Sequence, residues 1–241
     1  MNTMKKSSFL LLLLLLISSR SNTQSKIADP ANYLNDIKNE LTKQWPNNRT
    51  INLVFHGHSV PAGYFKTPLV NTFGAYPFQV LKKLKEQYPF AVINVINTAI
   101  GGENAESGAK RFKAEVLIHQ PDVLFIDYAL NDLKSGLEGS SKAWNKMINK
   151  ALKQHIKIIL LTPSPDQRIN ILEANSELEQ HSKQIQQLAE KNGIGLIDSY
   201  GLFKEKVMSG NPISTFMSQV NHPNEEGHQL IADEILKYFA N

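Results

Sequence analysis

The stretch Ile51-Asn-Leu-Val-Phe-His-Gly-His-Ser59 decides how the rest of the chain is interpreted. The apolar run Leu53-Val-Phe55 ends abruptly in a polar segment, which is typical of a buried parallel strand that delivers side chains to the carboxyl edge of a sheet. Ligands bind at that edge in open α/β sheets. Gly57 allows a sharp turn just before Ser59. A serine in this position can act as a nucleophile if a base reaches it.

Further apolar runs alternate with helical patterns along the chain. Besides the strand at 51–55, strands are predicted at 91–96, 123–128, 156–161 and 194–198. Helical segments are predicted within 27–47, at 78–88, 109–119, 142–154, 172–191 and 203–208, and finally at 225–239. This alternation indicates a parallel sheet with helices on both faces. We therefore predict an α/β fold, a three-layer α/β/α sandwich with a mainly parallel five-stranded sheet.

The 241 residues, 41% of them hydrophobic, are enough for one sizeable α/β domain. Residues 1–25 are predicted to be a signal peptide, since Lys5-Lys6 precedes the apolar run Phe9 to Ile17 and a serine-rich segment. That run is too short to span a bilayer, which needs about 20 residues; an uncleaved interfacial anchor is the alternative. We expect one domain over 26–241, secreted or periplasmic, with no stable membrane insertion once the signal is removed.

Charge and cysteine content exclude some classes of partner and mechanism. The chain has 26 basic and 22 acidic residues, a net charge of +4. Three of the basic residues, Lys5, Lys6 and Arg20, fall in the signal segment, which leaves 23 − 22 = +1 for the rest. We therefore predict no nucleic-acid partner. The absence of cysteine excludes both disulfides and a thiol nucleophile.

Three later blocks carry residues that could meet Ser59 at the same sheet edge. Asn97-Thr-Ala-Ile-Gly-Gly102 follows the second predicted strand, and Asp127-Tyr-Ala-Leu-Asn-Asp132 closes the third. Val220-Asn-His-Pro-Asn224 precedes the last predicted helix. Together these blocks offer a glycine loop, an amide and an imidazole.

The four blocks, in this order, resemble the motifs of the SGNH/GDSL hydrolase family, with its flavodoxin-like fold. Those motifs are a serine after a first strand, usually in Gly-Asp-Ser, a glycine after a second, Gly-x-Asn-Asp after a third, and a histidine before the last helix. The resemblance spans roughly 52–238. It implies a serine esterase with Ser59 as nucleophile and His222 as general base. It also implies that Gly102, Asn131 and the Ser59 backbone N–H are the oxyanion donors, with no cofactor and no metal.

Each residue also has a structural interpretation. Taken alone, Ser59 could cap a turn, and a histidine before a helix could be a surface residue. Gly101 is the neighbour of Gly102, which we prefer because the family's glycine pattern overlays the 97–102 block. His228 is the rival of His222, but it lies inside the predicted last helix, where packing or a local hydrogen bond is expected. Tyr64 and Phe65, in the loop after Ser59, could either contact substrate or pack that loop.

The chain departs from the family at three positions. His58 replaces the aspartate of Gly-Asp-Ser, which is mainly structural in the family. Ala129 replaces the glycine of Gly-x-Asn-Asp, which is acceptable unless the turn needs a positive φ. Gln219 stands where the family has the aspartate that orients the base, and a glutamine cannot stabilise an imidazolium as a carboxylate does. We therefore predict a Ser59–His222 dyad.

Three groups could orient the base in such a dyad: a backbone carbonyl, Gln219, or a carboxylate from elsewhere, with Asp198 and Asp166 as the carboxylates that follow strands at the same edge. Of the other two acids in the third block, Asp132 is expected to brace its loop and Asp127 to be hydrogen-bonded structure. The His56-x-His58 pair admits a metal site, but two histidines without a third ligand are weak grounds for zinc.

The leading prediction is an exported serine esterase that acts on a small-molecule or glycan ester. The family resemblance favours O-acetyl groups on carbohydrates, because exported single-domain members often act on them; the sequence itself does not size the acyl pocket. One alternative is a lipid-directed esterase or thioesterase, although no segment resembles an amphipathic lid. Another is a non-catalytic carbohydrate-binding module on a degenerate hydrolase fold, suggested by His58 and Gln219. The oligomeric state is left open by the sequence.

Overall fold

The structure is a computed structural model that describes residues 26–240. The predicted signal peptide, residues 1–25, lies outside the described residues. Within those residues, no helix is both long enough and apolar enough to cross a membrane.

A five-stranded parallel sheet forms the centre of the domain, in the strand order β2-β1-β3-β4-β5. Its strands are β1 (Thr50–Gly57), β2 (Val92–Asn97), β3 (Val123–Asp127), β4 (Lys157–Leu161) and β5 (Gly195–Ile197). Most residues of β1 and all residues of β3 are buried, as expected for strands that are covered by helices on both faces.

Nine α-helices are found in the described residues. They are α1 (Pro30–Tyr33), α2 (Asn35–Leu41), α3 (Ser59–Ala62), α4 (Tyr76–Gln87), α5 (Ala105–Glu115), α6 (Gly136–Leu152), α7 (Glu177–Asn192), α8 (Ser199–Met208) and α9 (Glu225–Leu236). Short 3₁₀ turns lie at Leu117–His119, Ala129–Ser135, Ile213–Phe216 and Lys237–Phe239.

The helices cover both faces of the sheet and bury two separate apolar clusters. One cluster joins Phe55 and Phe125 to α4 and α9, and the other joins Val54 and Leu124 to α5, α6 and α7. Alternate residues of one strand thus feed opposite layers, as the two-residue period of a strand requires. The predicted three-layer α/β/α fold with a five-stranded parallel sheet is confirmed.

Helix starts differ from the sequence prediction where a side chain caps the first turn. Asn104 accepts a hydrogen bond from the backbone N–H of Ser107, so α5 begins four residues before its predicted start. Ser176 caps the Glu179 N–H, so α7 begins five residues after its predicted start. The sequence also gave no indication of a small antiparallel pair, β6 (Met217–Gln219) with β7 (His222–Pro223).

Candidate active site

Ser59 is held at the carboxyl end of β1 by a tight packing of the strand end against β3. An added Cβ at Gly57 would lie 2.3 Å from the backbone oxygen of Asp127, so only glycine allows this approach. His58 follows in an extended conformation, and its Nδ1 accepts a hydrogen bond from the Val60 N–H at 3.2 Å. Ser59 therefore becomes the first residue of α3, with only 7% of its surface exposed.

His222 reaches Ser59 from the β6–β7 pair, 163 residues further along the chain. Its Nε2 lies 2.9 Å from the Ser59 Oγ, and the ring is buried. This is hydrogen-bond distance for a hydroxyl that gives its proton to an imidazole. The structure thus brings together the two residues that the sequence analysis singled out as nucleophile and base.

The other ring nitrogen of His222 contacts two neutral groups. Nδ1 lies 2.9 Å from the backbone oxygen of Phe65 and 2.8 Å from the Nε2 of Gln219, its cross-strand neighbour. Burial lowers the pKa of His222 below its usual 6.5; the Phe65 carbonyl opposes this shift and His58 adds to it. A lowered pKa keeps the imidazole neutral, and so able to accept a proton, at lower pH than an ordinary histidine.

The two carboxylates considered as partners of His222, Asp198 and Asp166, make hydrogen bonds to other groups. Asp198 caps α8 and accepts a hydrogen bond from the Thr162 hydroxyl at 2.9 Å. Asp166 is buried and forms a bidentate pair with Arg168, whose hydrogen bonds lower the pKa of the Asp166 carboxyl although burial opposes them. Of the three groups left open by the sequence, the backbone carbonyl and Gln219 contact the ring.

A second imidazole also lies beside the Ser59 hydroxyl. The Nδ1 of His58 is 3.4 Å from the Ser59 Oγ, and its Nε2 is 3.3 Å from Oδ1 of Asp127, within ion-pair distance but outside hydrogen-bond alignment. Oδ2 of Asp127 accepts a hydrogen bond from the Tyr76 hydroxyl at 3.1 Å. Asp127 is thus buried and hydrogen-bonded, as expected. Its carboxylate contacts the His58 ring and not the His222 ring.

His228, the rival of His222 in the sequence, lies elsewhere. It is fully buried in α9, its Nδ1 accepts the Tyr76 N–H at 3.3 Å, and its ring stacks on Phe65 at 5.1 Å between centroids. Burial, with a smaller contribution from His222, lowers the pKa of His228 to about 3. It packs the segment that carries the Phe65 carbonyl. Phe65 is buried by that packing, whereas the ring of Tyr64 remains partly exposed, 6.1 Å from the His222 ring.

Two of the three proposed oxyanion donors, Gly102 and Asn131, line one cavity. Gly102 has φ of +79°, and an added Cβ there would meet no atom within 4 Å, whereas at Gly101 it would press on the Tyr64 ring at 3.0 Å. Gly102 and Asn131 line the same cavity, together with Asn221, the residue before His222. Among the described residues, the backbone N–H groups of Ser59 and Gly102 have no hydrogen-bond acceptor.

The loop that carries Gly102 is held in place by hydrogen bonds to its next residue, Glu103. The Nδ2 of Asn131 donates to the backbone oxygen of Glu103 at 2.9 Å, which fixes the amide beside Gly102. The Glu103 side chain accepts hydrogen bonds from Arg111 at 2.8 and 3.0 Å and from Tyr128 at 2.8 Å. Burial opposes ionisation, but the Arg111 and Tyr128 hydrogen bonds lower the pKa of Glu103, so it stays charged. Sequence spacing gave no indication of this anchor.

The remaining departure from the family, Ala129, has a structural explanation, and so has His56, the other histidine of the His56-x-His58 pair. Ala129 is not among the described residues with positive φ, so alanine replaces glycine there without strain. His56 points to different partners from His58: its Nδ1 lies 3.0 Å from the Thr98 hydroxyl, and its ring meets Tyr128 edge-on. No group of three or more His, Cys, Asp or Glu side chains within residues 26–240 is arranged to hold a metal ion.

Asp132 braces the third block, as the sequence suggested. Its carboxylate accepts hydrogen bonds from the Ala105 N–H at 2.8 Å, the Ser140 hydroxyl at 3.0 Å and the Trp144 indole at 2.7 Å. Full burial raises the pKa of this carboxyl, and those three donors oppose the increase. The brace ties the segment carrying Asn131 to α5 and α6.

Sequence comparison identifies similar proteins. The sequence profile of the GDSL-like Lipase/Acylhydrolase family matches residues 55–230. An acetylxylan esterase of Geobacillus stearothermophilus is 24% identical over 208 residues, which cover 77% of this chain and 92% of that protein.

Solved structures show the same fold. The structure of Axe2, an acetylxylan esterase from Geobacillus stearothermophilus, superposes with a TM-score of 0.69 at 20% identity, over 79% of this chain and 94% of Axe2. A two-domain esterase active on acetylated mannans gives a TM-score of 0.69 at 19% identity, over 89% of this chain and 53% of that one. A putative GDSL-like lipase from Parabacteroides merdae gives 0.68 at 18% identity, over 78% and 95% of the two chains. The chain therefore belongs to the GDSL-like lipase/acylhydrolase family, and it is a carboxylic ester hydrolase.

Proposed function

We propose that this chain is an exported carbohydrate O-acetylesterase in which Ser59 is the nucleophile and His222 is the general base. The observation that carries the proposal is the 2.9 Å contact between the Ser59 Oγ and the His222 Nε2 at the carboxyl edge of the sheet. The family membership and the acetylxylan esterase relative support the reaction and the acetyl group.

The reaction proceeds in two halves. Ser59 Oγ attacks the acetyl carbonyl carbon while His222 Nε2 takes the hydroxyl proton, and the carbonyl oxygen becomes an oxyanion. His222 then returns the proton to the sugar oxygen as the C–O bond breaks, which leaves an acetyl group on Ser59. A water attacks this ester with His222 again as base, and acetate and the free serine are formed.

The developing oxyanion is stabilised by neutral donors. The backbone N–H groups of Ser59 and Gly102 and the Asn131 amide would each donate a hydrogen bond to it. Loss of one such donor costs about 10²–10³ in turnover in enzymes of this type. The anchored Glu103 fixes two of the three donors before substrate binds, because Gly102 is its neighbour and Asn131 is bonded to its backbone oxygen.

The first experiment measures release of p-nitrophenol from p-nitrophenyl acetate, butyrate and octanoate by the purified chain without residues 1–25. We expect the acetate to be the best substrate and Ser59→Ala to remove the activity. Ser141→Ala, on α6, is the matched control and should keep it. A rate maximum at octanoate would favour a lipid-directed esterase, and equal rates for wild type and Ser59→Ala would remove Ser59 from the mechanism.

Two further measurements test the other parts of the proposal. A fluorophosphonate probe should label wild type but not Ser59→Ala; glycan binding without labelling would instead indicate a non-catalytic module. Expression of the full chain should place activity outside the cytoplasm, and removal of residues 1–25 should retain it inside. Activity that stays in the cytoplasm with the full chain would contradict export.

A further inference from the structure

The cavity beside the oxyanion donors continues beyond the space that an acetyl group needs. It has a volume of about 270 Å³ and begins at Gly102, Asn131 and Asn221. Its lining also includes Leu130 and Leu133 and three charged residues, Lys134, Asp166 and Arg168. If the small acetyl group occupies the oxyanion end, the alcohol part of the substrate occupies the charged end.

The charges at that end do not cancel. Asp166 is only 4% exposed, and both of its oxygens accept hydrogen bonds from Arg168, so its negative charge is paired with that guanidinium. The Arg168 side chain is 68% exposed, and its Nη1 makes no hydrogen bond among the described residues. Lys134 is exposed, and no carboxylate of the described residues lies within ion-pair distance of its ammonium group. One cation is neutralised and one is not, which leaves a net charge of +1.

Other acids near the cavity do not change this balance. Glu103, next to Gly102, is charged but is paired with Arg111. Glu173 and Glu177 share a neighbouring depression with Arg168, but neither lines the cavity that reaches Gly102 and Asn131. The cavity therefore combines an unpaired ammonium, a free edge of a guanidinium and two amide side chains. An unpaired guanidinium edge and an ammonium together bind a carboxylate group well.

We propose that this cavity is a subsite for an anionic sugar, and that the preferred alcohol is an acetylated uronic acid whose carboxylate lies between Lys134 and Arg168. The net charge of +1 matches a monovalent carboxylate. This inference rests on the proposed esterase function and adds the class of alcohol. It differs from what the names of the relatives indicate, since xylan and mannan backbones are built of neutral sugars.

The test compares two substrates that differ only at C6: methyl 2-O-acetyl-galactosiduronate and methyl 2-O-acetyl-galactoside. Wild type should show a kcat/KM about three- to tenfold higher for the uronate, the size expected of one or two partly exposed ion pairs. The preference should decrease towards one in 0.5 M NaCl, because salt screens exposed charges. Lys134→Gln should reduce the preference to near one, and Lys134→Glu should reverse it.

Lys146→Gln is the matched control, because it removes one positive charge from a different cavity, on α6. It should keep the wild-type preference. Arg168→Gln should bring the preference below one, and so further than Lys134→Gln does, since it also uncovers the Asp166 carboxylate. A 6-sulfated galactoside that is hydrolysed faster than the uronate would overturn the assignment to carboxylates.

The outcomes separate the two proposals. Equal kcat/KM for the uronate and the galactoside would overturn the anionic subsite and leave the esterase intact. Equal loss of preference in Lys134→Gln and Lys146→Gln would also overturn it, because the effect would then be one of overall charge. Absence of acetate release from every substrate, p-nitrophenyl acetate included, would instead contradict the proposed function.

Discussion

Two imidazoles approach the Ser59 hydroxyl from different parts of the fold, and they differ in what lies behind them. His222 is 2.9 Å from the Ser59 Oγ and is backed by the neutral Phe65 carbonyl and Gln219. His58 is 3.4 Å from the same oxygen and is backed by the buried carboxylate of Asp127. The negative charge therefore lies behind the imidazole that is further from the nucleophile.

Hydrogen-bond chemistry assigns these two rings different tasks. The Nδ1 of His58 already accepts the Val60 N–H, so its proton belongs on Nε2, facing Asp127. This ring caps α3 and fixes the backbone of Ser59. His222 has its Nε2 directed at the hydroxyl and can carry a proton on Nδ1 for the Phe65 carbonyl, which is the arrangement that a general base needs. The comparison indicates that one histidine moves the proton and the other holds the serine in place.

Replacing each histidine separately gives the largest expected difference. We expect His222→Ala to lower kcat by at least about 10⁴, as loss of the base does in serine hydrolases generally. His58→Ala should lower it by about 10–10², because the cap on Val60 is lost but the base remains. The measurement is kcat and KM on p-nitrophenyl acetate, with thermal unfolding to confirm that each variant folds. Equal losses would show that the two rings do not divide the tasks in this way.

A double-mutant cycle tests whether His58 and Asp127 act together to position Ser59. An aspartate at 58 could cap Val60 as well as a histidine does, but in the native background it would face the buried Asp127 carboxylate, and two buried carboxylates repel. We therefore expect His58→Asp to cost about 10² in kcat/KM. Asp127→Asn should cost about tenfold alone, and the double variant should also lose only about tenfold, so that it recovers much of the activity that His58→Asp loses.

The control for this cycle is Asp127→Asn combined with His222→Ala, which should show no recovery. Additive losses in His58→Asp and Asp127→Asn would contradict the pairing of the two positions. Coupling between contacting residues is typically 0.5–3 kcal/mol, large enough to measure against these rates.

The sequence predicted the parts of this site that depend on side chains at strand ends. Ser59, Gly102 and Asn131 follow β1, β2 and β3, and parallel strands must bring their carboxyl ends to one edge. Helix starts were less accurate, because α5 and α7 are set by single capping side chains, Asn104 and Ser176, rather than by the apolar period.

The orienting partner of the base could not be read from the residue types. Its main contact is a backbone oxygen, and every residue has one, so Phe65 carries no sequence signature for this role. The β6–β7 pair is too short to give an alternating pattern. Asp166 and Asp198 are carboxylates that follow strands at the correct edge of the sheet. They do not contact His222, because they accept hydrogen bonds from Arg168 and Thr162 instead.

The smallest expected effect is that of replacing Gln219, whose side-chain amide N–H group points at the Nδ1 of the proposed base, His222. Its Oε1 accepts the Thr67 N–H at 2.9 Å, so its Nε2 faces the His222 Nδ1, and two donors meet there when Nδ1 is protonated. Gln219→Ala should therefore change kcat/KM less than tenfold.

The Gln219→Glu variant should accept hydrogen bonds from both the Thr67 N–H and the imidazolium of His222, and so raise the pKa of His222. Because the base acts only when neutral, activity falls as pH drops through that pKa. The acid limb of kcat/KM lies below pH 6.5 in wild type and should move to higher pH in Gln219→Glu but not in Gln219→Ala. A pH–rate profile of the three proteins checks this, and an unchanged limb in Gln219→Glu would mean that the titrating group is not His222.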